Sequence, residues 1–209
     1  MLVHPPYGRR AAPGRGPAWL LQTALLLALA LGMPPLQAQL APPPEASVPS
    51  GATVEQRVKA ASLYRFPGYV EWPAWSFPDA AAPYIVGVAG APEIAQELGA
   101  ISAGRTVNNR PLQVRRLKAG EALAGIHLLF IGRDEQARQG AWLQAAQKLP
   151  VLTVTESEPG LAQDSMINFR LADERVRFEV NLDAVERSEL RVSSRMLSVA
   201  LSVHKGARP

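Results

Sequence analysis

The run Ile-His-Leu-Leu-Phe-Ile at residues 126–131 constrains the fold more than any other segment. Nearly all of its side chains are apolar, which is typical of a strand that is covered on both faces. Short apolar runs at residues 84–89 and 151–155, and a further predicted strand at residues 112–117, alternate with helical patterns at residues 92–98 and 134–148. This order predicts a single α/β domain built on a mainly parallel sheet with helices on both faces.

The last third of the chain predicts an antiparallel C-terminal hairpin. Residues 166–171 and 175–181 flank a three-residue connection, and apolar and polar side chains alternate in the second segment. Such alternation gives a strand one buried and one polar face. A helix is then predicted to begin at Ser193 or Ser194, with Met196, Leu197, Ala200 and Leu201 directed inward.

The domain is predicted to open with a helix that begins after Thr53. Thr53 and Gln56 fit a capping box, and apolar residues follow at helical spacing. Pro67 and Gly68 should end this helix near Phe66, before a loop punctuated by prolines.

Residues 1–38 are predicted to form a cleavable signal peptide that exports the protein to the periplasm. Three arginines precede an apolar run at residues 18–31, and a small-x-small pattern ends at Ala38. This run is shorter than the roughly 20 residues of a membrane-spanning helix, and a retained anchor is the alternative. The remaining chain divides into a flexible, proline-rich tether (39–52), the folded domain (53–205) and a disordered tail (206–209).

Charge and cysteine content exclude several classes of function. Removing the three leader arginines from the 22 basic residues leaves 19 against 18 acidic ones, so the mature chain lacks the basic surface of a nucleic-acid-binding protein. The chain has no cysteine, which excludes disulfides, thiolate metal sites and a cysteine nucleophile.

Several segments together resemble the YfiR family of periplasmic repressors. They are VKAASLYRF at 58–66, VEWP at 70–73, VLTV at 151–154, MINF at 166–169, VRFEVN at 176–181 and LRVSSRML at 190–197. The resemblance covers residues 54–203. It implies a protein that binds and represses the periplasmic portion of an inner-membrane diguanylate cyclase, and so controls cyclic-di-GMP signalling and biofilm formation without making the nucleotide.

The chain departs from the family pattern at three places. The family typically has asparagine at the position of Arg65, a continuous helix at Pro67-Gly68 and a Gly-Gly pair at Asp164-Ser165. The disulfide-dependent redox control of some members cannot operate in a chain without cysteine.

The loop after the first helix is the candidate partner-binding segment. Glu71 and Trp72 combine a charged group with an apolar anchor, and Trp75 and Phe77 would extend an aromatic patch if the loop is open. The alternative is that Trp72 closes the core. Exposure of these aromatic side chains would favour partner binding.

Three charged residues are further candidates for contact with an anionic ligand or a partner carboxylate. They are Arg65 on the first helix, and Arg177 and Glu179 on the polar face of the hairpin. A solvated charged surface explains the same residues without a ligand. Ser193-Ser194 is likewise interpreted as a helix cap.

No catalytic or metal-binding motif is visible, and no cofactor is expected. His127 lies inside an apolar run without an orienting acid or a nucleophile, and is predicted to be a satisfied core histidine. The protein is therefore interpreted as a partner-binding repressor. The alternative is a periplasmic sensor that binds a small molecule near the carboxyl ends of the parallel strands. A homodimer through the apolar C-terminal helix is also considered.

Overall fold

The computed structural model describes residues 51–206, so the predicted signal peptide, most of the tether and the last three residues lie outside the described range. The helices are α1 Val54–Arg65, α2 Pro92–Ser102, α3 Gln139–Ala146, α4 Leu182–Arg187 and α5 Ser194–Leu197. The strands are β1 Val70–Glu71, β2 Tyr84–Ala89, β3 Thr106–Val107, β4 Arg110–Leu117, β5 Leu128–Ile131, β6 Leu152–Thr155, β7 Ile167–Ala172, β8 Arg175–Asn181, β9 Arg191–Val192 and β10 Ser202–His204. Four 3₁₀ turns occur at Phe66–Tyr69, Ala74–Ser76, Arg133–Arg138 and Leu161–Gln163.

Eight of the strands form one mostly parallel sheet in the order β10-β8-β7-β6-β5-β2-β4-β3. The pairs from β7 through β6, β5 and β2 to β4 are all parallel, as the alternation of strands and helices predicts. Strands β1 and β9 form a separate antiparallel pair. The domain is therefore of the predicted mixed α/β class.

The side chains of β5 show why helices cover both faces of the sheet. Leu128 and Phe130 join a core that includes Leu63 of α1 and Leu98 of α2. Their neighbours Leu129 and Ile131 belong to a second core, which contains Trp142 and Leu143 of α3. Because successive side chains of a strand point to opposite faces, a wholly apolar strand requires cover on both sides.

The antiparallel hairpin is present, but it does not end the sheet. Strands β7 and β8 pair from Ile167↔Val180 to Ala172↔Arg175. Asp173 and Glu174 at the turn both have positive φ, of 49° and 59°. Strand β10 then adds to the outer side of β8 in parallel. The prediction of the hairpin is therefore confirmed only in part.

The prediction of a long C-terminal helix is wrong. Helix α5 has a single turn, begun by Ser193, whose hydroxyl accepts the backbone N–H of Met196. The N–H of Leu201 instead donates to Phe178 O at 2.7 Å, and the chain continues as β10. Met196 is buried, whereas Leu201 is 43% exposed. Pairing with the sheet edge prevails over helix continuation, and the helix that suggested a homodimer is absent.

Two further helix predictions need correction. Helix α2 continues through Gly99 to Ser102, since Ile101 packs against the first core beyond the glycine. The single helix predicted over residues 134–148 is a 3₁₀ turn followed by α3. In that turn the Arg138 guanidinium pairs with the Glu135 carboxylate three residues earlier, a spacing that a 3₁₀ helix brings into line.

None of the helices within residues 51–206 has the length and apolar content needed to cross a membrane.

A buried polar cluster fixes the turn that follows β6. Thr155 Oγ1 lies 2.9 Å from Ser165 Oγ and donates to Asn168 Oδ1 at 2.8 Å. Gly160 lies against this cluster, and a Cβ at that position would stand 2.4 Å from both Asn168 Oδ1 and Thr155 Oγ1. These atoms cannot move away without breaking their hydrogen bonds, so only glycine fits there.

We expect Gly160→Ala to lower the free energy of unfolding by about 2 kcal/mol through overpacking of this cluster. Gly140→Ala is the matched control, because a Cβ on exposed Gly140 of α3 would meet no atom within 4 Å. Alanine there should raise the free energy of unfolding by up to about 1 kcal/mol. Urea denaturation of both variants measures the difference, and equal midpoints would contradict the close packing at Gly160.

Candidate functional site

A groove of about 610 Å³ lies between the segment after α1 and the last turn of α4 with the residues that follow it. We call it the Trp72 groove. One wall consists of Glu71, Trp72 and Pro73, and the other of Glu186, Glu189, Leu190 and Arg191. The β1–β9 pair joins the two walls, because Val70 pairs with Val192 and Glu71 with Arg191. Two residues of the predicted partner-binding loop therefore line an open concavity.

Trp72 both lines this groove and packs against the domain. Its indole Nε1 donates to the carbonyl of Pro150 at 2.9 Å. Its ring lies against Tyr84, with the centroids 5.4 Å apart, and meets the edge of His127. The side chain is only partly exposed, so it serves as a fixed wall and not as a mobile anchor.

Phe77 packs against His127 and Arg110. The two rings stack with their centroids 4.4 Å apart and an interplanar angle of 14°. The Arg110 guanidinium lies 3.9 Å from the Phe77 centroid and donates to the carbonyls of Asp79 and Ala82. Phe77 is thus a structural residue that fastens the loop to the start of β4.

His127 connects the loop to the sheet through both ring nitrogens. Nδ1 accepts the backbone N–H of Ile85 at 3.0 Å, so the proton lies on Nε2, which is 3.1 Å from Ser76 O and donates to it. Burial lowers the pKa of His127 from its usual 6.5; the hydrogen bond to Ser76 raises it, and the Arg110 charge lowers it. His127 is therefore a neutral, satisfied core histidine, as the sequence predicts.

Trp75 differs from the two aromatic residues on either side of it. It lies in the 3₁₀ turn between them and is 67% exposed. Trp72 and Phe77 pack on Tyr84, whereas Trp75 remains largely exposed. Of the three aromatic residues that could form a patch, Trp75 is exposed, while Trp72 and Phe77 are partly buried against the domain. Tryptophan is enriched among binding hot spots, so this exposed indole is a candidate interaction anchor.

Comparison with protein-family models then shows which kind of protein carries this groove. The model of the YfiR/HmsC-like family matches residues 56–201, from α1 to the residue before β10. The chain belongs to this family. A search of the curated proteins found no match. Proteins of the YfiR/HmsC-like family are periplasmic regulators of diguanylate cyclase signalling, and their role is regulatory and not catalytic.

Two departures from the YfiR family pattern have visible structural consequences. Helix α1 ends at Arg65, and Pro67 lies in the 3₁₀ turn that follows it. Asp164 adopts a left-handed conformation with φ of 67°, at a position where the family typically has glycine. Glycine adopts this conformation without strain, and aspartate tolerates it better than most residues.

The other predicted site residues do not join the Trp72 groove. Arg65 is exposed at the end of α1. The next residue, Phe66, packs on Phe178. Arg177 and Glu179 alternate with Phe178 along β8 and face the other side of the sheet. Arg177 is exposed, and Glu179 accepts a hydrogen bond from Ser202 Oγ at 3.1 Å. The predicted site residues of the loop therefore lie near one another, whereas Arg65, Arg177 and Glu179 lie elsewhere on the domain.

The second wall of the groove escaped sequence analysis. Glu186 and Glu189 belong to no recognised segment, and Arg191 lies in the LRVSSRML segment without any sign of a site role. Strands β1 and β9 contribute only two residues each. Strands of this length have no measurable periodicity. The pairing of residues 71 and 191 becomes visible only in the folded domain.

A second concavity, which we call the Lys59 cleft, lies near the carboxyl ends of the parallel strands, where the sensor alternative would place its ligand. Nothing in the sequence indicates that Lys59 would line it. The cleft has a volume of about 230 Å³ and lies at the carboxyl ends of β5 and β6, against the start of α2. Lys59 is 4% exposed and pairs with both Glu55 and Glu156, while Arg133 Nη2 donates to Glu55 at 2.8 Å. The hydrogen bond from Lys59 holds the pKa of Glu55 below its ordinary value.

No group of three or more histidine and acidic side chains within the described residues is placed to hold a metal ion.

We expect the free energy of unfolding to fall as the pH decreases from 6.5 towards 5. The folded-state pKa of His127 lies below its unfolded value, so the unfolded chain takes up the proton first in this range. Replacement His127→Gln should remove this part of the pH dependence. Urea titrations at pH 5, 6 and 7 measure it.

The matched control is His204→Gln, because His204 lies in edge strand β10 and its side chain is 54% exposed. This variant should retain the fall in the free energy of unfolding that the buried His127 causes. A wild-type free energy of unfolding that is constant between pH 5 and 7 would contradict the role assigned to His127.

Proposed function

We propose that the protein binds the periplasmic portion of an inner-membrane diguanylate cyclase and represses it through the Trp72 groove and Trp75. The exposed Trp75 indole, which lies two residues beyond the groove-lining Pro73 and between the packed Trp72 and Phe77, is the observation that carries this proposal. Export through the signal peptide at residues 1–38 would place the protein in the compartment where such a partner is accessible.

The geometry supports binding in preference to catalysis. Trp72, Phe77 and His127 are fixed by ring contacts and hydrogen bonds, so the loop loses little conformational freedom on association. Trp75 supplies a large apolar area with few rotatable bonds, which is the property of a binding hot spot. A repressor needs no more than a surface that binds one state of its partner better than the other.

Control by a thiol switch has no chemical basis in this chain, since it contains no cysteine. Release of the partner must therefore depend on a competing ligand, a second protein or a change in charge. Cyclic-di-GMP would then be controlled indirectly, through occupancy of the regulated enzyme.

A small-molecule sensor is the second candidate function, and the Lys59 cleft is the observation that favours it. The cleft lies next to the point where the strand order reverses, between β2 and β5. Ligands of open α/β sheets bind in this position. Its charged groups already pair with one another, however, and that arrangement also stabilises α1 without any ligand.

In host cells that lack the gene, we expect the wild-type chain to restore a low cyclic-di-GMP level and Trp75→Ala to fail. Loss of an aromatic hot spot costs about 2 kcal/mol or more, close to a thirtyfold loss of affinity. Cyclic-di-GMP in cell extracts is measured by mass spectrometry, with the amount of exported protein measured in parallel.

Leu171→Ala is the matched control, because Leu171 is 62% exposed in β7 and does not line the groove. This variant should restore the low level. If Trp75→Ala represses as well as the wild type at equal abundance, the partner does not bind through Trp75.

A further inference from the structure

We infer that the partner segment that enters the Trp72 groove is basic and carries lysine or arginine side chains. This inference rests on the proposed function and adds the chemistry of the bound segment. Three glutamates and one arginine line the groove, so its walls carry an excess of negative charge. A cationic segment is the complement of such a surface.

The carboxylates of the groove are available to a partner. Glu71 and Glu189 are exposed and form no ion pair with another described residue, although Arg191 is the register partner of Glu71. Glu186 pairs with Lys205, whose Nζ lies 3.0 Å from its Oε1. Two of the three carboxylates therefore remain to pair with incoming cations.

The C-terminal end of a helix also lies at the groove. Helix α4 ends at Arg187, and Glu186 and Glu189 on either side of this end line the groove. The carbonyl groups at the end of a helix carry a partial negative charge that favours cations. Glu189 has φ of 61°, a left-handed conformation that the chain adopts as it turns from α4 towards β9.

The apolar part of the site also suits lysine and arginine. Both have long aliphatic stems that pack on apolar surface while the charged end stays at the rim. Trp72, Pro73 and Leu190 provide such surface in the groove. The exposed Trp75 indole, two residues beyond Pro73, offers a ring face for cation–π contact.

Other occupants fit this groove less well. An acidic segment would be repelled by Glu71 and Glu189. A wholly apolar segment would remove those carboxylates from water without a partner, which is unfavourable. A second copy of the chain could enter only by presenting a basic surface of its own, and would then show itself as concentration-dependent dimerisation.

The test uses the full chain and two fluorescent twelve-residue peptides, one alternating lysine with leucine and the other glutamate with leucine. We expect the lysine peptide to bind at least tenfold more tightly in fluorescence anisotropy. The double replacement Glu71→Gln with Glu189→Gln should weaken its binding about tenfold, since exposed charge pairs contribute about threefold each. Raising the salt concentration should weaken it further.

Glu174→Gln is the matched control, because Glu174 is an exposed glutamate at the opposite end of β8 from α4. It should leave the affinity unchanged. Equal affinity for the two peptides, or equal losses in the control and the double variant, would overturn the inference. Dimerisation of the chain in sedimentation that the double variant abolishes would overturn it in favour of a second copy as occupant.

Failure of this inference and failure of the proposed function are distinguishable. If the double variant still lowers cyclic-di-GMP in cells while Trp75→Ala does not, repression through Trp75 stands and the basic segment is excluded. If neither variant affects repression, the Trp72 groove is not the partner site.

Discussion

The neutral imidazole of His127, next to the start of β5, fixes the loop that carries the candidate binding surface. His127 accepts the N–H of Ile85 and donates to Ser76, so one ring joins the central strand β2 to the loop above it. Phe77 stacks on that ring, and Trp72 packs beside it on Tyr84. Trp72 and Phe77 are fixed in this way, and the short turn between them carries the exposed Trp75. The anchor is therefore a consequence of how the loop is fastened to the sheet.

The groove beside this anchor depends on a second constraint, the pairing of β1 with β9. This pair brings residues that are about 120 positions apart in the chain to opposite walls of one concavity. It also turns α4 so that its C-terminal end lies at the groove. Membership of the YfiR/HmsC-like family gives this surface its context, since such proteins regulate diguanylate cyclase signalling.

Much of the fold could be predicted because its signals are local. The apolar run before and within β5, the capping box at Thr53 and the alternation in β8 each specify one element through neighbouring residues. The long C-terminal helix was mispredicted because pairing of β10 with β8 is a tertiary effect that local periodicity cannot show. The same holds for the site: Glu71 and Trp72 form a visible motif, but Glu189 and Arg191 meet them only after folding. Lys59 gave no signal either, since its buried ion pairs join α1 to the end of β6.

The most direct test of the central claim is photo-crosslinking in living host cells from a photoreactive amino acid placed at position 75, with the same residue at position 171 as reference. We expect a crosslink from position 75 to the periplasmic portion of an inner-membrane diguanylate cyclase and none from position 171. A crosslink to that enzyme from position 171 alone would contradict it, because the enzyme would then contact the hairpin and not the aromatic loop.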